Sequence, residues 1–179
     1  MISIGHRFPE YALTAVVSSD PDTAFQSIDS RTFAGKWRVV FFWPKDFTFV
    51  CPTEIAGFGK LDREFKARDA QLLGASVDSE FVHLAWRRQK SELENLPFPM
   101  LSDVKRELAT ALGIIDPHSG VAQRATFIVD PEGVVRFVYV TDANVGRSPD
   151  EVLRILDALQ TDELCPCNWR SGQPTLKAA

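Results

Sequence analysis

The stretch Trp37-Arg-Val-Val-Phe-Phe-Trp-Pro-Lys-Asp-Phe-Thr-Phe-Val-Cys-Pro-Thr-Glu54 constrains the fold of this chain more than any other. Val39 to Trp43 is a short apolar run rich in β-branched and aromatic residues, which predicts a buried strand. Pro44 ends it, because proline has no N–H to give to a sheet ladder. Ile55, Phe58, Leu61 and Phe65 then recur at three- and four-residue steps, the pattern of a helix. Pro52 suits the first turn of that helix, where a missing N–H costs nothing. Cys51 therefore stands where a strand hands over to a helix N-terminus. Unpaired N–H groups and the positive end of the helix dipole meet there, and both bias a thiol toward thiolate.

The rest of the chain supplies the elements around this unit. Residues 1–30 are polar and mixed, with a turn at Ser18-Ser-Asp-Pro-Asp22, and predict a lead-in hairpin at the edge of the domain. Gln71 to Val77 is the next apolar run, so strand, helix and strand imply a parallel crossover. Asp78-Ser79-Glu80 supplies cap candidates for a helix carrying Phe81, Leu84, Ala85 and Trp86, and Asp103 can cap one over 104–112 that Gly113 stops. Arg124–Val129 and Val134–Val140 predict a hairpin about Asp130-Pro-Glu-Gly133, and Ser148-Pro149 opens a last helix. The order βαβ, helix, β-hairpin, helix is that of an α/β thioredoxin-like fold, a central mixed sheet flanked by helices. Residues 1–160 form that domain, and 161–179 a tail of different character containing Cys165-Pro-Cys-Asn-Trp169.

Composition excludes several classes of function. A net charge of −4 with no basic run argues against nucleic acid, and no apolar stretch is long enough to span a membrane. The N-terminus lacks an apolar signal region, and three cysteines are too few for a secreted disulfide scaffold. A cytoplasmic protein is the expectation. Cys165-x-Cys167 is at most half a zinc site, and His6, His83 and His118 are scattered, so no metal is expected. The absence of Cys-x-x-Cys argues against a thioredoxin-type disulfide donor. With no G-x-G-x-x-G or other cofactor signature, no cofactor is expected and electrons must come from another protein.

A helix terminus alone contributes only about 0.3–1 kcal/mol to holding a thiolate, so a nearby cation is needed. Arg124, at the head of an apolar strand, is the candidate, although a solvent-facing strand end is equally compatible with its position. Full ionisation multiplies the thiolate at most about thirtyfold, and lowering a thiol's pKa weakens it as a nucleophile. The remaining acceleration must come from holding a substrate and stabilising charge on its leaving atom. Thr48, three residues before Cys51, can place a hydroxyl beside the sulfur, and Pro44 can shield it, though each could equally be a turn residue. His83 shares a helix with Trp86 and fits a packed or subunit-contact side chain better than a general base.

Pro44-Lys-Asp-Phe-Thr-Phe-Val-Cys51-Pro-Thr-Glu54 resembles the Pro-x-x-x-Thr-x-x-Cys active-site signature of the peroxiredoxins. Asp78 to Trp86, Gly120 to Pro131 and Glu163-Leu-Cys165-Pro-Cys-Asn-Trp169 resemble further blocks of that family in the same order, over nearly the whole chain. The likeness is to the typical two-cysteine kind, and within it to the three-cysteine branch of the alkyl hydroperoxide reductase type. It implies a thiol-dependent peroxidase that reduces hydrogen peroxide and organic hydroperoxides through a sulfenic acid and a disulfide. By the same resemblance Cys51 is the peroxidatic cysteine, Thr48 and Arg124 bind the peroxide, Pro44 closes the pocket and Glu54 orients Arg124. Cys165, four residues before Trp169, is the resolving cysteine, and Cys167 a second resolver or an onward acceptor of the disulfide. The family further implies a homodimer assembling into a ring of dimers, and a reducing protein that is AhpD-like or thioredoxin-like. The short tail lacks the Tyr-Phe helix of oxidation-sensitive relatives, which implies resistance to overoxidation. A ring-shaped holdase, or a sensor that relays peroxide oxidation to a partner, is the alternative function.

Overall fold

The computed structural model describes residues 1–177. Seven strands form one mixed sheet: β1 (Ala12–Val16), β2 (Phe25–Asp29), β3 (Trp37–Phe42), β4 (Ala70–Ser76), β5 (Met100–Ser102), β6 (Arg124–Val129) and β7 (Val135–Thr141). Their order across the sheet is β2-β1-β5-β4-β3-β6-β7. β3, β4 and β5 run parallel, joined by helical crossovers, and every other pairing is antiparallel. The crossover from β3 to β4 carries α1 (Cys51–Lys60) and α2 (Asp62–Ala67). That from β4 to β5 carries α3 (Glu80–Gln89) and α4 (Ser91–Glu94). Two further helices, α5 (Glu107–Ala111) and α6 (Pro149–Thr161), complete the set.

Strand periodicity explains the two cores. Side chains alternate across a sheet, so a strand covered on both faces must be apolar at every position. In β3, Val39 and Phe41 enter the core beneath α1, α2, α3 and α6, while Val40 and Phe42 enter the core on the opposite face with Leu108 and Leu112. β4 divides likewise, Leu72 to the first core and Leu73 to the second. Phe41 stacks on Phe58 of α1 with ring centroids 4.1 Å apart, which fixes α1 over β3.

Two helices differ from the sequence reading. The helix expected over 55–65 is broken at Leu61 (φ −95°, ψ 3°), giving α1 and α2. Gly57 and Gly59 weaken the helix just before the break. The bend keeps both Phe58 and Phe65 buried, with centroids 6.3 Å apart. The helix expected to start at 104 starts at Glu107 instead. Arg106 takes a left-handed conformation (φ 60°), held by its Nε donating to the Gly120 carbonyl at 2.7 Å. Asp103 still caps α5, but across that extra turn, accepting from the Leu108 N–H at 3.2 Å and the Ala109 N–H at 2.8 Å. By contrast Ser148 caps α6 as read, and of the candidates Asp78, Ser79 and Glu80 it is Ser79 that caps α3.

After α6 the chain turns at Asp162 (φ 54°) and folds back. Leu164 pairs with Leu176, Trp169 is buried, and Arg154 of α6 donates to the Trp169 carbonyl at 2.8 Å.

Gly74 in β4 is a test of how tightly the first core is filled. A Cβ there would stand 2.7 Å from Trp43 Cζ3, 3.1 Å from Phe41 and 3.3 Å from Phe98. Gly74→Ala is expected to lower stability by about 1–3 kcal/mol through overpacking, measured by urea denaturation.

Candidate active site

Cys51 is the first residue of α1 and is fully buried. β3 ends at Phe42, and residues 43–50 carry the chain from the sheet to the helix. A buried polar lock holds this connection. Trp43 Nε1 donates to Asp46 Oδ1 at 2.7 Å, Asp46 Oδ2 meets His83 Nδ1 at 2.7 Å, and His83 Nε2 meets the Leu101 carbonyl at 3.2 Å. Asp78 accepts from the Asp46 N–H at 2.9 Å. His83 is thus a packed side chain that ties the connection to α3 and β5. Phe47 adopts φ 56°, a strained conformation for an aromatic residue, with its ring 5.9 Å from that of Trp86.

Two donors converge on the Cys51 sulfur. The Thr48 hydroxyl lies 2.9 Å away and also 2.9 Å from the Lys45 carbonyl, so its one proton serves one of these acceptors at a time. Arg124, at the start of β6, places Nη1 3.3 Å from the sulfur. Arg124 is buried, not solvent-facing, and its Nε donates to the Ala143 carbonyl at 2.8 Å. Charge-assisted donors of this kind stabilise negative charge on the atom they face.

Glu54 lies three residues after Cys51, on the adjoining turn of α1, and its buried carboxylate accepts four hydrogen bonds. One comes from Arg124 Nη1 at 2.5 Å. The other three come from Arg147: its backbone N–H at 2.8 Å, Nε at 2.8 Å and Nη2 at 3.1 Å. Arg147 also donates to the Ala125 carbonyl and Thr126 hydroxyl of β6, and lies over the Phe41 ring at 5.6 Å. Burial pushes the Glu54 carboxyl up, but the hydrogen bonds and charge of Arg147, with the charge of Arg124, outweigh it and hold it below the ordinary glutamate value.

Thr48, Cys51, Glu54 and Arg124 thus form one cluster, although 73 residues separate the sulfur from the guanidinium. Pro44 stands beside it, lining with Arg124, Val121, Gln123 and Asp142 a cavity of about 170 Å³. Cys165 and Cys167 belong to a different neighbourhood. Cys165 rests on the last turn of α6, its sulfur 3.4 Å from the Thr161 hydroxyl and 3.8 Å from the Ala158 carbonyl. Arg154 stands close enough to both tail thiols for its charge to act on them. All three cysteines are free thiols, Cys167 being exposed. Arg147 escaped the sequence reading. Its one signal is a lone cation between Gly146 and Ser148-Pro149, just before a helix. Among the described residues no cluster of three or more His, Cys, Asp or Glu side chains is arranged to hold a metal ion, and no helix is long and apolar enough to cross a membrane.

A thiol at a helix start, faced by a hydroxyl and a guanidinium on a mixed α/β sheet, defines a class of thiol enzyme. A family model described as the AhpC/TSA family matches residues 4–138, so the chain belongs to that family and is a thioredoxin-fold peroxiredoxin. More particularly, it is 59% identical over 186 residues to alkyl hydroperoxide reductase C of Mycolicibacterium smegmatis, covering 99% of this chain and 95% of that one. Peroxiredoxin-2 of Bos taurus is 44% identical over 181 residues, covering 97% and 89%. Among solved structures, Mycobacterium tuberculosis AhpC superposes with a TM-score of 0.87 at 57% identity, covering 95% of this chain and 99% of that one. Reduced 2-Cys peroxiredoxin of Plasmodium vivax gives 0.91 at 34% identity, covering 99% and 94%.

Glu54 gives this cluster a pH signature. Because its folded pKa is depressed, its contribution to stability is complete above about pH 4.5, the ordinary glutamate value, and is lost as pH falls through the lower folded value. Glu54→Gln should cost about 3–5 kcal/mol at pH 7, since it leaves two guanidinium groups buried without their counter-charge. The variant should also lose less stability than wild type between pH 5 and acid unfolding, which denaturant titrations at stepped pH would measure.

Proposed function

We propose that Cys51 is the peroxidatic cysteine of a thiol-dependent peroxidase that reduces hydrogen peroxide and organic hydroperoxides. The observation that carries this reading is the pair of donors on one buried sulfur, Thr48 at 2.9 Å and Arg124 at 3.3 Å. The Cys51 thiolate attacks the terminal oxygen of the hydroperoxide. The O–O bond breaks, the sulfur becomes a sulfenic acid, and the leaving alkoxide or hydroxide takes a proton to become alcohol or water. Arg124 and Thr48, aimed at the sulfur at rest, are equally placed to bind the two peroxide oxygens and to stabilise charge on the departing one. Pro44 shields the sulfur from bulk water. Glu54 holds Arg124 in place, with Arg147 as the second positioning residue.

Cys165 then attacks the sulfenic acid, forming a disulfide and releasing water. A disulfide needs Cα atoms within about 4.4–6.8 Å, so the start of α1 must unwind and the tail must leave α6. In this reading 1–160 is the catalytic domain and 161–179 the tail that delivers the resolving thiol, with Cys167 a second resolver as in a three-cysteine enzyme. A reducing protein, AhpD-like or thioredoxin-like, closes the cycle. The subunit forms a homodimer that assembles into a ring, a reading supported by the unpaired outer edge of β7 and by Phe49, which is 94% exposed beside the site. A reducing cytoplasmic setting fits three free thiols.

Cys51→Ser should abolish peroxide consumption, whereas suppression of client aggregation, if a holdase were the main function, would survive it. Thr48→Val should lower kcat/KM by about 10²–10³ while Thr48→Ser retains most of it, measured by stopped flow with hydrogen peroxide. Cys165→Ser should still give one turnover per subunit, with the sulfenic acid trapped by dimedone. Full steady-state turnover in that variant would assign resolution to Cys167 instead.

A further inference from the structure

At the far end of β3 from Cys51, roughly 17–20 Å along the strand, three arginines face a recess of about 280 Å³. Arg38 comes from the start of β3 and Arg31 from the turn after β2. Arg7 comes from the N-terminal segment, which pairs with Val134. Glu10 and Glu132 line the same recess, so three guanidinium groups stand against two carboxylates.

Among the described residues no salt bridge neutralises Arg7, Arg31 or Arg38, although the charge of Asp29 acts on Arg31. The neighbouring acids are otherwise committed. Asp29 accepts from the N–H groups of Arg31 and Thr32 and from the Thr32 hydroxyl, and Asp130 pairs with Arg136. Arg7 Nη1 donates to the Glu132 carbonyl at 3.0 Å, which fixes its head at the mouth of the recess.

Arg38 is the decisive residue. It is only 5% exposed, its Nη1 donates to the Ser30 carbonyl at 3.1 Å, and no carboxylate meets its guanidinium among the described residues. The buried Tyr11 hydroxyl lies beside it, close enough to feel the Arg38 charge and to hydrogen-bond with its guanidinium. A buried guanidinium with no carboxylate counter-ion is costly unless an anion completes it. The two heads also converge: a Cβ on Gly133 would lie 3.5 Å from Arg38 Nη2 and 3.8 Å from Arg7 Nη1. Gly133, at φ 85°, leaves that space open.

We propose that this recess binds a tetrahedral oxyanion of the phosphate class, held by Arg38 at its base and by Arg7 and Arg31 at its mouth. The planar fork of N–H groups on each guanidinium matches phosphate oxygens in pairs. The ligand is a phosphate dianion, free or as the end of a phosphomonoester, and Glu10 and Glu132 favour a compact group over a polyanion. The proposal stands independently of the peroxidase reading.

The test is isothermal titration of the full chain with inorganic phosphate and with ribose 5-phosphate, at constant ionic strength set with chloride. Saturable binding of one equivalent per chain is expected. Arg7→Ala and Arg31→Ala should each weaken it at least about fivefold, and Arg38→Met more, with peroxide turnover unchanged in the two exposed variants. If Arg38→Met fails to fold, the Arg7→Ala/Arg31→Ala double variant carries the test. Tighter binding of ribose 5-phosphate would identify a phosphomonoester, and equal binding free phosphate; both uphold the site. Absence of saturable binding by either probe, or undiminished binding in the double variant, would overturn it.

Discussion

The site depends on one buried carboxylate shared between two arginines. Glu54 would be costly to bury alone, and so would Arg124. Their pairing at 2.5 Å would by itself leave Arg124 largely neutralised by its partner. Arg147 changes that balance. It supplies three of the four hydrogen bonds that Glu54 accepts, so the carboxylate is saturated mainly from one side. Arg124 therefore keeps part of its positive field for the sulfur 3.3 Å away. Two guanidinium groups and one carboxylate leave a net positive charge in a low-dielectric place beside the sulfur.

Such a cluster needs a rigid frame, because a shift of an ångström in a positioned group can cost two orders of magnitude in rate. β3 provides one by sending alternate side chains into both cores, so neither face can loosen without the other. Phe41 carries this rigidity to the site directly, stacking on Phe58 below the cluster and lying under the Arg147 guanidinium. The Trp43–Asp46–His83 lock does the same for the connection between β3 and α1.

Much of this was legible in the residue order. The run Val39 to Trp43, the proline stop and the apolar steps at Ile55 and Phe58 gave strand, break and helix, because each is a local signal. Thr48 and Cys51 were readable as a pair for the same reason, being three residues apart. Arg124 was visible only as an oddity at a strand head, and its burial follows from strand pairing that a linear pattern does not contain. Arg147 was illegible, since nothing local distinguishes an arginine in a loop from a solvated one. The late start of α5 was missed because Asp103 reaches over a left-handed Arg106, a conformation that no periodicity announces. The peroxiredoxin signature was legible as a resemblance spread over four blocks, three of which lie within the match over residues 4–138.

The cluster is also spread along the chain, with 73 residues between Cys51 and Arg124 and 93 between Glu54 and the Arg147 that saturates it. During synthesis, then, the sulfur emerges from the ribosome long before either guanidinium exists to face it. In a half-made chain the cluster is incomplete, and it closes only when β6 docks against β3 and the loop after β7 brings Arg147 to Glu54. The last piece of the cluster to be synthesised is thus the one that saturates its carboxylate.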